Sequence, residues 1–332
     1  MSAVRSLAHA PRLRVDYVDD ASDASLAALL AQPDTLAVFG FGDAAPRHHD
    51  PRYLRVPLHP HGAAPLEVWR SHAPVHVGTQ GAVRWAEDDT LHFGWIEVEE
   101  DGIGLEAASA EAYAAMSAVV RARGFPHLLR SWNYLDAITD GEGDDERYRR
   151  FCVGRASGLG EVMIGTLPAA TAIGRRDGMR TLQVYWLAGR TPGTPVENPR
   201  QVSAYRYPRQ YGPQSPSFAR AMVPPSAQMP LLLSGTASVV GHESRHHDCI
   251  ESQLAETFAN FESLIKAAGN VRPELAQGFG TQSRLKVYVR DVQALPLIEQ
   301  ALAEHLDPAV PRVLLHAAVC RRELRVEIDG VL

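Results

Sequence analysis

Cysteine is scarce in this sequence. Its 332 residues include three, Cys152, Cys249 and Cys320, an odd number placed far apart, which excludes a disulfide framework and a paired-cysteine zinc site. That usage fits a reducing compartment, and a cytoplasmic location is expected. No run of about 18 apolar residues free of charge occurs, so no membrane-spanning helix is expected. Residues 1–13 contain Arg5 and Arg12 but no apolar core of signal-peptide length. An excess of positive charge is lacking as well. At a formal −6 the surface as a whole does not attract a nucleic-acid backbone or an anionic membrane, so an anionic ligand has to be met by arginines placed at a site. Gly154, Gly158, Gly160 and Gly165 do not make a GxGxxG turn and no phosphate-binding Gly-Lys-Ser/Thr loop is present; no nucleotide or other cofactor is expected. His242, His246, His247 and Cys249 lie close together, but without an HExxH-like carboxylate they read as solvated or hydrogen-bonding side chains, and no metal is expected.

What the chain does have is enough apolar sequence, 45% against 22% charged, for a packed core, and a length that suits two domains. Residues 107–123 are alanine-rich, with Tyr113, Met116, Val119 and Val120 at helical spacing and Gly124 as a stop. A second amphipathic helix is expected over 252–268, with Leu254, Phe258, Phe261, Leu264 and Ile265 on one face and Gly269 closing it. After the first helix come a strand at 127–135, a polar loop at 139–145, a short helix near 146–151, and strands near 168–173 and 182–187. After the second come a strand at 284–290, a short helix at 295–306, and strands at 313–319 and 324–328. The order helix, strand, helix, strand, strand therefore recurs, which predicts a tandem structural repeat. Between the copies lies a segment, 191–230, with eight prolines between Pro192 and Pro225. Its aromatic and arginine content is unusual for a mere spacer.

From about Pro213 onward the chain resembles the YjgF/RidA family. The resemblance is carried by LLLSGTAS at 231–238, the helix QLAETFANFESLIKAAG, the strand LKVYVRD, the pair Pro311 and Arg312 ahead of a strand, and the closing Val326, Glu327 and Ile328. SWNYLDAI at 131–138, ERYRRFCVGRA at 146–156 and ENPRQVSAYRYPRQYGP at 197–213 make the longer chain similar to the chorismatases, a group built on that scaffold with a degenerate copy in front. The resemblance implies an α+β fold of tandem RidA-like domains, each a mixed sheet with helices packed on one face. Residues 1–190 would form the degenerate domain and 191–332 the catalytic one, led in by the proline-rich segment. If Pro168 corresponds to Pro311, the front copy has Ala169 and Ala170 where the second has Arg312. It also has Gln183, Val184 and Tyr185 in the strand that corresponds to Glu327. The front copy is expected to be scaffold or pocket wall.

The implied activity is cleavage of the enolpyruvyl ether of chorismate to pyruvate and a hydroxybenzoate, 3-hydroxybenzoate with 4-hydroxybenzoate as a further product. Chorismate carries two carboxylates, and arginine forks suit them. The resemblance nominates Arg155, Arg200, Arg209 and Arg312 as anchors, with the hydroxyls of Tyr205 and Tyr211 as further donors. Breaking an enol ether requires a proton on its methylene carbon, and Glu327, between apolar neighbours on a strand, is the expected general acid, kept protonated by an apolar pocket. Cys320, and Gly235 or Ala237, match positions that shape the product. The readings left open are chorismate hydrolysis to a dihydroxycyclohexadiene carboxylate, a RidA-type enamine or imine deaminase, and a noncatalytic metabolite-binding protein. Monomer and homo-oligomer both remain open.

Overall fold

The computed structural model describes residues 10–160 and 163–332; most of the N-terminal stretch read above for a signal, residues 1–9, lies outside them. The chain builds three sheets in sequence. The first part of the chain has β1 (Arg14–Val18), α1 (Asp23–Leu30), β2 (Thr35–Phe41), β3 (Tyr53–Val56), the short β4 (His59–Pro60), which joins the edge of the third sheet, and β5 (Leu66–Arg70). Next come β6 (His76–Gln80), β7 (Val83–Glu87), β8 (Leu91–Glu99), α2 (Gly104–Ala122), β9 (His127–Asp136), α3 (Arg147–Leu159), β10 (Ala169–Arg175) and β11 (Thr181–Gly189). The last part has β12 (Thr194–Val196), β13 (Ala221–Val223), β14 (Leu232–Thr236), a small hairpin of β15 (Val239–Val240) and β16 (Glu243–Ser244), then α4 (Ile250–Val271), β17 (Arg284–Val289), α5 (Leu295–His305), β18 (Arg312–His316) and β19 (Val326–Val331).

The strand orders are β1-β5-β2-β3, β10-β9-β11-β8-β7-β6 and β12-β13-β14-β19-β17-β18-β4. Their shared pattern confirms the repeat. β9 and β10 are parallel, as are β17 and β18; β11 and β19 return antiparallel beside the first strand of each pair. The fold adds a third copy that the sequence reading passed over. β2 and β3 are parallel and β5 returns antiparallel beside β2, with residues 42–52 crossing over without a helix. A helix-period signal could not reveal this copy, because its one helix spans eight residues and β2 is buried along its whole length.

Helices cover the outer faces. Leu254, Phe258, Phe261, Leu264 and Ile265 of α4 are buried against the third sheet as expected, each burial contributing about 1.5–3 kcal/mol. α2 ends before Gly124, whose φ of 79° is the left-handed conformation that glycine supplies at a helix C-terminus. α4, in contrast, runs through Gly269 to Val271. It stops because Arg272 precedes Pro273, and a residue before proline is pushed out of the helical region. The inner faces of all three sheets meet in one core that includes Phe39, Trp69, Trp132, Tyr185, Tyr288 and Leu315; Trp132 and Tyr185 stack at 4.7 Å. Among the described residues no helix is long and apolar enough to cross a membrane.

Candidate active site

A cavity of about 460 Å³ opens between the second and third copies. β10 contributes Thr171, α3 contributes Tyr148 and Arg155, and β14 contributes Gly235, followed by Ala237. The proline-rich segment is a wall of this cavity, supplying Tyr207, Tyr211, Phe218 and Arg220. Glu327, Cys320 and Arg321 complete the floor.

Strand alternation puts Glu327 there. Val326 and Ile328 enter the core beneath α4, so Glu327 and Asp329 point to the opposite face. Glu327 is 5% exposed, and its carboxyl lies against Gly235 so closely that a Cβ added to that glycine would stand 1.9 Å from Oε1. Burial pushes its pKa up to about 8, the neighbouring Asp329 adds to the rise, and Arg130, Arg220 and Arg321 oppose it. A carboxylic acid that keeps its proton at neutral pH can donate it. Gly235→Ala is expected to fold, since the intruding atom meets the free end of a flexible side chain, but to displace the acid. Turnover should fall about a hundredfold with an unchanged circular dichroism spectrum; normal turnover would show that the carboxyl does not need this gap.

The repeat explains why one such site exists. Glu327 faces Tyr288 across the strand pair, Gln183 faces Tyr134, and Glu67 faces Phe39, so the three occupy equivalent places. Gln183 is an amide, donating from Nε2 to Glu97 at 2.7 Å. Glu67 is paired with Lys286 at 3.1 Å and accepts from Trp69 Nε1. Of the three, Glu327 is the carboxyl that faces the cavity.

Cations surround the space above it. Arg155 is 3% exposed, and its Nε and one terminal nitrogen have no hydrogen-bond partner. Its guanidinium lies over the Tyr113 ring. Leaving a buried guanidinium half satisfied is costly, and an anion in the cavity would remove that cost. Arg220 donates to Tyr207 Oη at 2.7 Å, and Arg321 stacks on Tyr211 at 4.3 Å while donating to the His242 carbonyl. Tyr211 Oη meets His242 Nδ1 at 3.2 Å. Over the mouth, Arg322 bonds the Thr139 carbonyl and Glu142, and Arg209 bonds Asp144, tying the acidic loop down.

Of the residues named from sequence, the cavity brings together Glu327, Cys320, Arg155, Tyr211, Gly235 and Ala237. Burial pushes the Cys320 thiol far up, so it shapes the wall as a neutral group. Four nominations fall elsewhere. Arg200 is held by Glu256 and Asn260 on α4. Tyr205 faces a separate groove with Ser215, and Arg209 is exposed in its pair with Asp144. Arg312 begins β18, two strands from β19 and level with Gly330 through Leu285, which separates it from Glu327 by about 14 Å between Cα atoms. It bonds the Val310 carbonyl, so the expected partnership of Arg312 with Glu327 is not built. Arg130, Arg220, Arg321, Thr171 and Asp329 were missed. Two signals could have found part of this set: Asp329 shares the strand face of Glu327, and Arg321 adjoins Cys320.

The sequence comparisons agree with this architecture. A family profile described as chorismatase FkbO/Hyg5-like, N-terminal, matches residues 67–188. A chorismatase of Streptomyces rapamycinicus is 36% identical over 275 residues, covering 80% of this chain and 81% of that protein. A 3-hydroxybenzoate synthase of Streptomyces hygroscopicus is 35% identical over 277 residues, covering 80% and 81%. A chorismatase crystal structure superposes with a TM-score of 0.84 at 30% identity, covering 97% of this chain and 98% of that one. With its repeated α+β sheets and its cavity at the junction of two copies, this chain belongs to the chorismatase family.

Proposed function

We propose that this protein is an enzyme that cleaves chorismate to pyruvate and a hydroxybenzoate, 3-hydroxybenzoate with 4-hydroxybenzoate as a further product, in the cytoplasm. The observation that carries the reading is a buried Glu327, its pKa pushed up to about 8 by that burial, in a cavity that also holds the partly unsatisfied guanidinium of Arg155. Arg155 and Arg321 take the two carboxylates of the substrate, and Tyr207 and Tyr211 wall the ring. Glu327 protonates the methylene carbon of the enol ether, giving an oxocarbenium-like centre, and the ring C–O bond then breaks with its electrons going to the departing pyruvate. The neighbouring ring hydroxyl assists this departure. Loss of a proton as the ring becomes aromatic balances the one Glu327 gave, and no water is consumed.

The similarity to a 3-hydroxybenzoate synthase favours this branch over hydrolysis to the dihydroxycyclohexadiene carboxylate. The arginine and aromatic wall supplied by the proline-rich segment exceeds what a small enamine needs. Incubation with chorismate should release pyruvate and an aromatic hydroxybenzoate in equal amounts, measured by lactate dehydrogenase coupling and chromatography. Pyruvate at the uncatalysed rate would reject the reading, and a diene product would reject the branch.

A further inference from the structure

Behind the Glu327 carboxyl lies a buried charged junction that the reaction scheme leaves unused. Arg130 on β9 and Asp329 on β19 are both fully buried and stand 3.2 Å apart, nitrogen to oxygen. They belong to different copies of the repeat. Desolvating such a pair costs more than its attraction returns unless other hydrogen bonds complete it. Here they do so at one oxygen: Asp329 Oδ2 accepts from Thr171 Oγ1 at 2.7 Å, Trp132 Nε1 at 3.0 Å and Tyr288 Oη at 3.0 Å, while Asp329 Oδ1 and Arg130 Nε make no hydrogen bond.

Thr171 links this junction to the cavity. Its one hydroxyl hydrogen goes to Asp329. Its oxygen accepts from Arg130 Nη2 at 2.5 Å and from the backbone N–H of Gly235 at 3.0 Å, which uses its full capacity. The hydroxyl therefore has one orientation, and it fixes the backbone of the glycine against which Glu327 rests. Lys286, 3.7 Å from the other oxygen of Asp329, is paired with Glu67. The junction thus holds two cations and two carboxylates, and it balances without Glu327.

We infer that Asp329 and Thr171 are positioning residues for the proton donor: they occupy Arg130, so that its guanidinium does not take Glu327 as a counter-ion, and they hold Gly235 in place. This rests on Glu327 being the donor. The groups that face Glu327 are Asp329 on its own strand, Tyr288 across from it on β17, Arg130 on β9, and Arg220 ahead of β13. Arg321 and Cys320 face it from the loop before β19, and Tyr148 with Arg155 from α3. Glu142, Glu146 and Glu323 line the same cavity, and Asp329 is the anion that raises Glu327 against these arginines, so removing its charge favours ionised Glu327.

The test is the pH dependence of kcat/KM on chorismate for the wild type, Asp329→Asn, Thr171→Val, Thr171→Ser and Glu327→Gln. The Asp329→Asn limb should move to acid by about one pH unit or more, an extra loss of about tenfold on its plateau-to-limb ratio near pH 8. Thr171→Val should move the same way, and Thr171→Ser, which keeps the hydroxyl, should restore the wild-type midpoint. With an inactive Glu327→Gln, a uniform loss at every pH in Asp329→Asn overturns the inference alone. Should Asp329→Asn fail to fold, an unmoved midpoint in Thr171→Val overturns it. An active Glu327→Gln instead removes the reading on which the inference rests.

Discussion

Glu327→Gln will bind chorismate and fail to turn it over. The amide matches the protonated acid in shape and can replace its hydrogen bonds, but it cannot transfer a proton to carbon, and a placed general acid is worth about 10²–10⁴-fold. kcat should fall by that factor while KM changes little. Under the proposed acid role the active form of the wild type is the protonated one. Since the pKa of Glu327 is raised to about 8, activity should hold below that value and fall as the pH rises through it. The same shift acts on stability. The unfolded chain releases this proton near the ordinary 4.5 while the folded chain keeps it, so wild-type stability declines between the two values and then levels off. Glu327→Gln escapes this decline, and its thermal unfolding near pH 8 should come at or above the wild-type temperature, which separates lost chemistry from lost structure. Near-normal turnover would end the acid assignment.

Arg155→Ala will raise KM sharply. The side chain is buried with two nitrogens unpartnered, so its bond to a substrate carboxylate forms in a dry site, where truncating one partner of a charged pair costs about 3 kcal/mol. That is roughly a hundredfold in kcat/KM. Arg155→Lys should recover part of this, since it keeps the charge and loses the fork. Arg312→Ala is the contrast: that residue lies outside the cavity, and its KM should stay near the wild-type value. A changed KM in Arg312→Ala with an unchanged one in Arg155→Ala would reverse the two assignments.

Much of this was legible in residue order. The helices of the second and third copies were readable because their apolar stripes repeat with the helical period over several turns. Glu327 was nominated by the resemblance, and its place between two apolar residues on a strand adds that it faces away from the core they enter. Motif resemblance located Arg155 and Tyr211, which lie on short local stretches. It misplaced Arg312, because a proline-arginine pair says where a strand starts and nothing about which face or end of a neighbouring strand it will meet. Arg220 carried no periodic or motif signal and Arg321 only its place beside Cys320; each is an ordinary arginine until folding brings it beside Tyr207 or Tyr211.

The sequence by itself determined the order of helices and strands that repeats, which follows from periodicities within about 20 residues, and its resemblance to a known family supplied the α+β class and the strand of the proposed acid. Only the tertiary structure decided that a third, shortened copy exists, that the cavity lies where two copies meet, and which arginines line it. Those outcomes depend on side chains far apart in the chain, 199 residues in the Arg130 to Asp329 contact and 219 in the Lys286 to Glu67 pair. Such contacts are fixed by how the sheets stack around their shared aromatic core, a constraint that appears in the chain only once it is folded.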